Sequence, residues 1–240
     1  MNRLRGLLTF HTDESIASYC SRIAGALGHV HAQYFCSKQH FSFHGLAVGR
    51  PGDFSAFAQL LGVEDVELSS GLIVTEGHWH RLRGQTLDRT LVIRNALRIC
   101  PHCILDDETR PFGRAGFRAF GRLLWLVEPI RVCERHGTKL VTAPPTSLPI
   151  WTHDFWAKLS AIRHELESFA SQSRSMRRDD LDTYTTARLS GLPAPSWLND
   201  LPLYVAIHLV EMVGVPIPMK PPHCSEMIAP LDSGMISPPV

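Results

Sequence analysis

Two short stretches of the chain decide how its central part folds, and they read Arg98-Ile99-Cys100-Pro101-His102-Cys103 and Arg131-Val132-Cys133-Glu134-Arg135-His136-Gly137. A Cys-x-x-Cys turn can direct two thiolates at one ion, and a Cys-x-x-His turn can direct a thiolate and an imidazole. Together they offer the four soft or borderline donors that zinc binds at tetrahedral corners. Such a closed set leaves no position for a substrate water. The sequence therefore predicts one structural zinc ion per chain, bound by Cys100, Cys103, Cys133 and His136.

Two other interpretations of these cysteines stay open. Cys100 and Cys103 could form a redox pair, although such pairs follow a strand in a βαβ unit and the sequence shows no such unit. The cysteines could also be unrelated to one another. Cys20, Cys36 and Cys224 are scattered, and the first two are interpreted as small buried hydrophobic residues. Three nearby histidines are not expected to bind metal: His102, which should point away, and His78 and His80, which should lie on the surface.

The composition is that of an ordinary globular protein, with 240 residues, of which 44% are hydrophobic and 20% charged. A net charge of +1 gives no global electrostatic argument for nucleic acid or membrane. No run of about 20 apolar residues could span a bilayer, and no N-terminal segment resembles an export signal. We expect a soluble cytoplasmic protein, in a compartment where thiols stay reduced.

Positive charge is concentrated in the middle of the chain. Between Arg81 and Lys139 there are twelve Lys or Arg and six Asp or Glu, a local charge of +6. Four arginines in this stretch recur at every fourth position, and on a helix they would form one basic stripe suited to DNA phosphates. Glycines between them weaken such a helix, and a solvated face is the default interpretation. These candidate DNA-binding residues are Arg110, Arg114, Arg118 and Arg122.

Helical patterns dominate the N-terminal region. Apolar residues recur at helical spacing from about Asp13, a plausible N-cap, to Leu27. A second helix is predicted from Asp53 to Gly62 and a short third one over roughly 63–72. The last two, joined by a glycine-containing turn, resemble a helix-turn-helix, a pattern that is also common as a simple packing unit. No strand pattern is long enough for a large sheet, and short hairpins are expected only around the metal site.

The C-terminal part is predicted to be helical as well. Residues 143–150 are rich in proline and are interpreted as a linker. Helical patterns follow over about 153–169, 179–189 and 202–213, within a C-terminal region that spans 151–214. Residues 215–240 contain many prolines and no periodicity, which predicts a disordered tail. The sequence thus predicts a mainly α fold with a small zinc-finger module at about 98–140.

Sequence motifs of common enzymes are missing. The chain has no Gly-x-x-x-x-Gly-Lys phosphate loop, no Gly-x-Ser-x-Gly elbow and no His-Glu-x-x-His. No pair of acidic residues is singled out for acid–base work. We therefore expect a protein that is not an enzyme.

Three stretches of the chain together resemble the TniQ family, the TnsD/TniQ target-selection proteins of transposons. Residues 13–24 match a Glu-Ser-x-x-Ser-aromatic-x-x-Arg-x-Ala opening, and residues 98–107 look like a Cys-Pro-x-Cys-Leu-x-acid knuckle. Trp125 to Leu140 are similar to a Trp…Cys-x-x-His-Gly-x-x-Leu closure. Many members follow this closure with another Cys-x-x-Cys, whereas here Leu140 is followed by Val-Thr-Ala-Pro-Pro.

The resemblance implies a helical protein with a helix-turn-helix-like portion and a zinc finger, placed in a TniQ-like domain over residues 1–142. It further implies a non-enzymatic role in DNA transposition, in which the protein helps to select the target site and recruits an AAA+ transposition regulator. The implied partners are that ATPase and double-stranded DNA within a complex, with a homodimer as a further expected assembly. The implied location is the bacterial cytoplasm, at the nucleoid during action. A zinc-containing helix-turn-helix transcriptional regulator is the alternative function.

Overall fold

The structure is a computed structural model that describes residues 4, 6–143, 152–192 and 196–214. Helices account for about 51% of the residues and strands for about 12%, so the prediction of a mainly α fold is confirmed. The described helices are α1 (Ile16–Ala26), α2 (Ala32–Lys38), α3 (Phe43–Ala47), α4 (Pro51–Leu61), α5 (Asp65–Leu68), α6 (Pro101–Thr109), α7 (Phe155–Ile162), α8 (Leu166–Gln172), α9 (Asp180–Ser190) and α10 (Leu203–Val213). The strands are β1 (Ile73–Glu76), β2 (Trp79–Leu82), β3 (Gln85–Asp88), β4 (Arg98–Ile99) and β5 (Val141–Thr142).

Helix α1 begins two residues later than its sequence pattern predicts. Ser15 is its N-cap, and the Ser15 hydroxyl accepts a hydrogen bond from the Ser18 N–H. The predicted Asp13 cap is wrong, because Glu14 between them points into the core and forms an ion pair of 2.6 Å with Arg22. Both side chains of this pair are almost fully buried. The start of α1 is therefore fixed by tertiary contacts as well as by capping.

Helices α4 and α5 form the predicted helix pair. Helix α4 begins at Pro51, a residue favoured in the first turn, and ends at Gly62 in the left-handed conformation (φ 70°). Helix α5 is a single turn, continued by a short 3₁₀ segment at Ser69–Gly71. The apolar residues of α4 face a core made by the first five helices, so this pair packs inward.

A three-stranded antiparallel sheet in the order β1-β2-β3 follows α5 in the chain. This sheet was not predicted from the sequence, which indicated short hairpins only around the metal site. Each strand has four residues and each turn two, with Gly77 and Gly84 at positive φ. His80 on β2 is 5% exposed and hydrogen-bonds to Thr75, so its expected surface position is wrong. Strands β4 and β5 form a separate pair beside the metal-site residues.

The C-terminal helices pack onto the rest of the chain. Helices α9 and α10 share a hydrophobic cluster with the sheet, and α7 and α8 share another with α6. The predicted helix over 153–169 is present with an interruption, a 3₁₀ turn at Arg163–Glu165. Most of the predicted linker and the predicted tail lie outside the described residues, and the domain boundaries stay a prediction. Within the described ranges, the helices are all too short or too polar to cross a membrane.

Asp154 connects α7 to the N-terminal helices. Its carboxylate caps α7 by accepting from the Ala157 N–H (3.1 Å) and also accepts from the Ala32 N–H at the start of α2 (2.7 Å). The Ser21 hydroxyl on α1 donates to the same carboxylate. Asp154 is 1% exposed. One buried side chain thus serves the first turns of two helices that are far apart in sequence.

Candidate metal centre

The first half of the site lies where β4 runs into α6. Cys100 is the N-cap residue of α6, and Pro101 is the first residue of the helix. Proline is well placed there because the first N–H groups of a helix have no intrahelical partner. The Ile104 N–H donates to the Cys100 carbonyl, which closes the first turn. This turn brings the Cys103 thiol to the same side as the Cys100 thiol.

The second half is a tight turn between Cys133 and Thr138. The Cys133 N–H donates to the Thr138 carbonyl, and the Gly137 N–H donates to the Cys133 carbonyl, both at 2.8 Å. Gly137 has a positive φ of 60°, which glycine adopts at no steric cost. The bridge between Val132 and Lys139 aligns the two sides of the turn. His136, inside the turn, is thereby directed at the three thiols.

The four predicted metal ligands come together, with their ligand atoms all within 4.8 Å of one another. Cys103 Sγ lies 3.5 Å from Cys133 Sγ, and His136 Nδ1 lies 3.5, 3.3 and 3.7 Å from the Sγ atoms of Cys100, Cys103 and Cys133. A tetrahedron with zinc–sulfur bonds of about 2.3 Å and a zinc–nitrogen bond of about 2.0 Å requires edges of roughly 3.5–3.8 Å. The cluster could therefore hold a metal ion.

The cluster is largely buried. The three thiols are at most 4% exposed, and the His136 side chain is 20% exposed. Hydrogen bonds from the other two thiols lower the pKa of Cys100. The hydrogen bond with Cys100 and burial raise the pKa of Cys103 and Cys133. Zinc binds cysteine as the thiolate, so a bound cation would favour ionisation of the three thiols.

Further residues orient the ligands. His136 Nε2 lies 3.1 Å from Asp106 Oδ2, and this carboxylate is also bound by Arg135. Such a carboxylate fixes the imidazole tautomer that leaves Nδ1 for a metal. Thr138 Oγ1 lies 3.6 Å from Cys100 Sγ. Neither Asp106 nor Thr138 was predicted from the sequence to contact the ligands. Asp106 lies one helical turn after Cys103, a position that by itself does not indicate a role.

His102 is placed away from the four ligand atoms. Its Nε2 lies 2.8 Å from the Ser173 hydroxyl at the end of α8. Its ring contacts the His136 ring, with centroids 5.4 Å apart. His102 therefore links the metal-site helix to α8 through its side chain.

The segment over residues 110–122 is not helical, so its four arginines do not form the basic stripe that a helix would give. Helix α6 ends at Thr109, and Pro111 follows it. Gly113 and Gly116 adopt positive φ values of 85° and 80°, which a right-handed helix excludes. The segment instead forms a series of turns, so a four-residue spacing no longer places the arginines on one face.

Two of the four arginines share a buried carboxylate. Arg110 and Arg122 both pair with Asp107, at 2.7 and 3.1 Å, and the Asp107 side chain is fully buried. The Arg122 guanidinium also lies over the rings of Phe120 and Trp125. The Arg122 side chain is 13% exposed. Arg122 thus has a structural role in binding the end of α6 to the following loop.

The other two arginines donate to backbone carbonyls. Arg114 Nη1 donates to the Ala26 carbonyl at the end of α1 (2.6 Å), and the Arg114 residue is exposed. Arg118 donates to the carbonyls of Glu108 (2.8 Å) and Gly113 (3.1 Å) and is half-buried. Within the described residues neither forms an ion pair. Both keep a full positive charge at the surface of this loop.

Comparison with known proteins places the chain in one family. The family model for TniQ matches residues 7–140, more than half of the chain. This span includes the four clustered ligands and Asp106. No curated protein sequence matches the chain. The chain therefore belongs to the TniQ family and is a transposition-associated protein.

Proposed function

We propose that the protein is a non-enzymatic accessory factor of DNA transposition that helps to select the target site and recruits an AAA+ transposition regulator. The observation that carries the proposal is the Cys3His cluster inside the span that matches TniQ. Around it, the central stretch has a local charge of +6. A rigid metal-braced module with a basic surface suits a protein that holds DNA and a partner together.

The metal in this proposal is zinc in a structural role. Zinc binds thiolates and imidazoles, whereas Mg²⁺ and Ca²⁺ bind oxygen ligands. Three thiolates and one imidazole therefore favour zinc. All four tetrahedral corners are supplied by Cys100, Cys103, Cys133 and His136, so no corner is left for a substrate or water. Bound zinc would supply positive charge and would cross-link α6 to the turn between Cys133 and Thr138. A site of four protein ligands is typical of structural zinc and not of catalytic zinc.

Native mass spectrometry with a free-thiol titration tests the metal. We expect one zinc ion per chain and protection of the three clustered cysteines from thiol reagents. A chain that is folded without metal, and in which Cys100 and Cys103 oxidise readily to a disulfide, would instead support a redox pair.

Contact with double-stranded DNA is proposed for the loop after α6, through Arg110, Arg114 and Arg118. Arg122 belonged to the predicted set, but its side chain is 13% exposed and stacked on aromatic rings, whereas that of Arg110, which also pairs with Asp107, is 38% exposed. Substitution of Arg50 is the matched control for this loop, because Arg50 lies outside the basic stretch and its side chain is 61% exposed. If the loop binds phosphates, its arginines affect the salt dependence of DNA binding far more than Arg50 does.

The alternative function, a helix-turn-helix regulator, is not favoured by the geometry of α4 and α5. The second helix of such a pair must enter the major groove. Helix α5 is a single turn, and it and its N-cap carry Glu64, Asp65 and Glu67 without any basic residue. DNA phosphates would repel this helix. A packing role for the pair agrees with the burial of its apolar face.

A binding assay with the AAA+ transposition regulator from the same cells tests the recruiting role. We expect the purified protein to bind DNA weakly alone and to retain the ATPase on DNA when both are present. Tight sequence-specific DNA binding without the ATPase would support the regulator instead. Failure to associate with the ATPase, with and without DNA, would refute recruitment.

A further inference from the structure

A small cavity lies at the junction of the N-terminal helices, the sheet and α7, and none of the four metal-site residues lines it. Its volume is about 60 Å³. The start of α1 contributes Ser15 and Ile16 to its wall, the region before β1 contributes Gly71, and α7 contributes Phe155. Neither the metal centre nor the proposed DNA-binding loop uses this cavity.

Three basic side chains without an ion-pair partner among the described residues line the cavity: Arg94, Arg98 and Lys158. Lys158 is 6% exposed and Arg98 is 7% exposed. Among the described residues that form the wall, none is Asp or Glu. Among the residues that the structure describes, no carboxylate oxygen lies within 4.0 Å of any of the three cations. Arg122 also reaches the wall, but it is paired with Asp107.

The hydrogen bonds of these cations go to neutral oxygens. Lys158 Nζ donates to the Thr152 carbonyl (2.8 Å), and Arg98 Nη2 donates to the Val127 carbonyl (3.0 Å). Arg98 Nε is buried and has no partner among the described residues. Carbonyl oxygens orient a cation without neutralising it. Buried unpaired charge is costly, so a site of this composition is expected to have a counter-charge that comes from elsewhere.

The pKa values show that burial disfavours the charged form of these cations, although Glu128 and Asp182 partly oppose this effect on Arg98. Burial lowers the pKa of Lys158 to about 8, although Asp154 partly opposes the effect. Burial lowers the pKa of Arg94 to about 10. Burial and the charge of Arg94 lower the pKa of His153, which also lines the cavity, to about 3, so that ring is neutral at pH 7.

The neighbouring sequence brings no counter-charge. The residues that precede Thr152 in the chain, 144–151, contain no Asp or Glu. The missing charge is therefore not supplied by the segment that leads into the cavity wall.

We propose that the cavity binds a single phosphate-type oxyanion, held by Lys158, Arg94 and the free Nε of Arg98. A tetrahedral dianion matches both the size of the cavity and the excess of positive charge, and guanidinium groups bind such oxygens with good geometry. A DNA duplex cannot enter a space of 60 Å³. The ligand is thus either free phosphate or a terminal phosphate group, such as the 5′-phosphate of a DNA end.

The test uses inorganic phosphate as the probe and the full-length protein. Titration calorimetry, with thermal unfolding at matched ionic strength in chloride, should show saturable phosphate binding. Lys158→Met is expected to weaken binding by at least about tenfold, because it removes one charged hydrogen bond. Lys38→Met, which removes an exposed lysine that lies over Tyr34, should leave the affinity unchanged.

A second readout separates binding from a purely structural role of Lys158. Without phosphate, Lys158→Met should unfold at the same or a higher temperature than the wild type, since an unpaired buried charge has been removed. In phosphate, the wild type should gain stability and the variant should not. A variant that is less stable without phosphate, and that gains as much from phosphate as the wild type does, overturns the proposal. If Lys158→Met does not fold, Arg94→Gln provides the same comparison.

Two further arms distinguish the sources of the phosphate. A DNA oligonucleotide with a 5′-phosphate is compared with the same oligonucleotide without it, each in competition with inorganic phosphate. Competition by the phosphorylated oligonucleotide alone supports a DNA-end ligand, whereas saturable binding of inorganic phosphate without competition by either supports the free ion. If neither inorganic phosphate nor the phosphorylated end binds more tightly than chloride, the cavity is not an oxyanion site.

Discussion

The metal cluster joins two half-sites that are 30 residues apart in the chain, since Cys103 and Cys133 meet there. Replacing one ligand is therefore expected to weaken metal binding and also to remove the cross-link that closes a long loop. Closing a 30-residue loop by a cross-link stabilises a protein by about 3.6 kcal/mol at 25 °C in the chain-entropy treatment developed for disulfides. Domains of this kind are stable by about 5–15 kcal/mol in total. We thus expect Cys133→Ser and Cys100→Ser each to lose roughly 3–5 kcal/mol of unfolding free energy.

Urea unfolding with and without EDTA, combined with measurement of bound zinc, tests this expectation. The wild type should lose stability in EDTA, whereas Cys133→Ser should be unstable already and respond little. Cys20→Ala is the control: its thiol is also fully buried, but it lies against Cys36 in the N-terminal core, so this variant should respond to EDTA like the wild type. A Cys133→Ser protein that is as stable as the wild type would refute the four-ligand assignment.

Three further predictions follow from the site and its surroundings. Asp106→Asn should weaken metal binding by about 10–100-fold in a chelator competition while one ion still binds at saturation, because only the support of the imidazole is lost. Arg114→Gln combined with Arg118→Gln should flatten the dependence of log K for DNA on log salt by about 1.8, and an unchanged slope would contradict DNA contact. The hydrogen bond to Asp88 raises the pKa of His208 above 6.5. This pair should therefore stabilise the docking of α10 fully below pH 6.5, and the stabilisation should disappear as the pH rises through the raised pKa. His208→Gln should abolish that pH dependence of urea unfolding.

The ligands could be predicted from the sequence because metal geometry restricts spacing very strongly. Cys-x-x-Cys and Cys-x-x-His fix which side chains can meet, and all four predicted ligands lie in one cluster. The residues that orient them were harder to identify, since a single carboxylate such as Asp106 has no pattern of its own. Its role depends on His136 arriving from a turn 30 residues away.

Predictions that relied on local periodicity were less accurate. The arginines after α6 occur at every fourth position, a spacing compatible with one face of a helix. Gly113 and Gly116, however, adopt left-handed conformations that a right-handed helix excludes. At the start of α1, Asp13 was a good cap by residue type. Burial of Glu14 against Arg22 moved the cap to Ser15, which is a tertiary effect that no local pattern contains. Four-residue strands such as β2 are likewise too short to give a clear alternation.

The double role of Asp154 has a practical consequence for shortening the chain. The family match ends at residue 140, and a cut soon afterwards would be the natural choice for an expression fragment. Such a fragment would lose the acceptor of the Ala32 N–H and expose the surface of α1 that α7 covers. Residues beyond the end of the family match thus stabilise the first helices of the matched region. A fragment intended to fold should extend at least through α7.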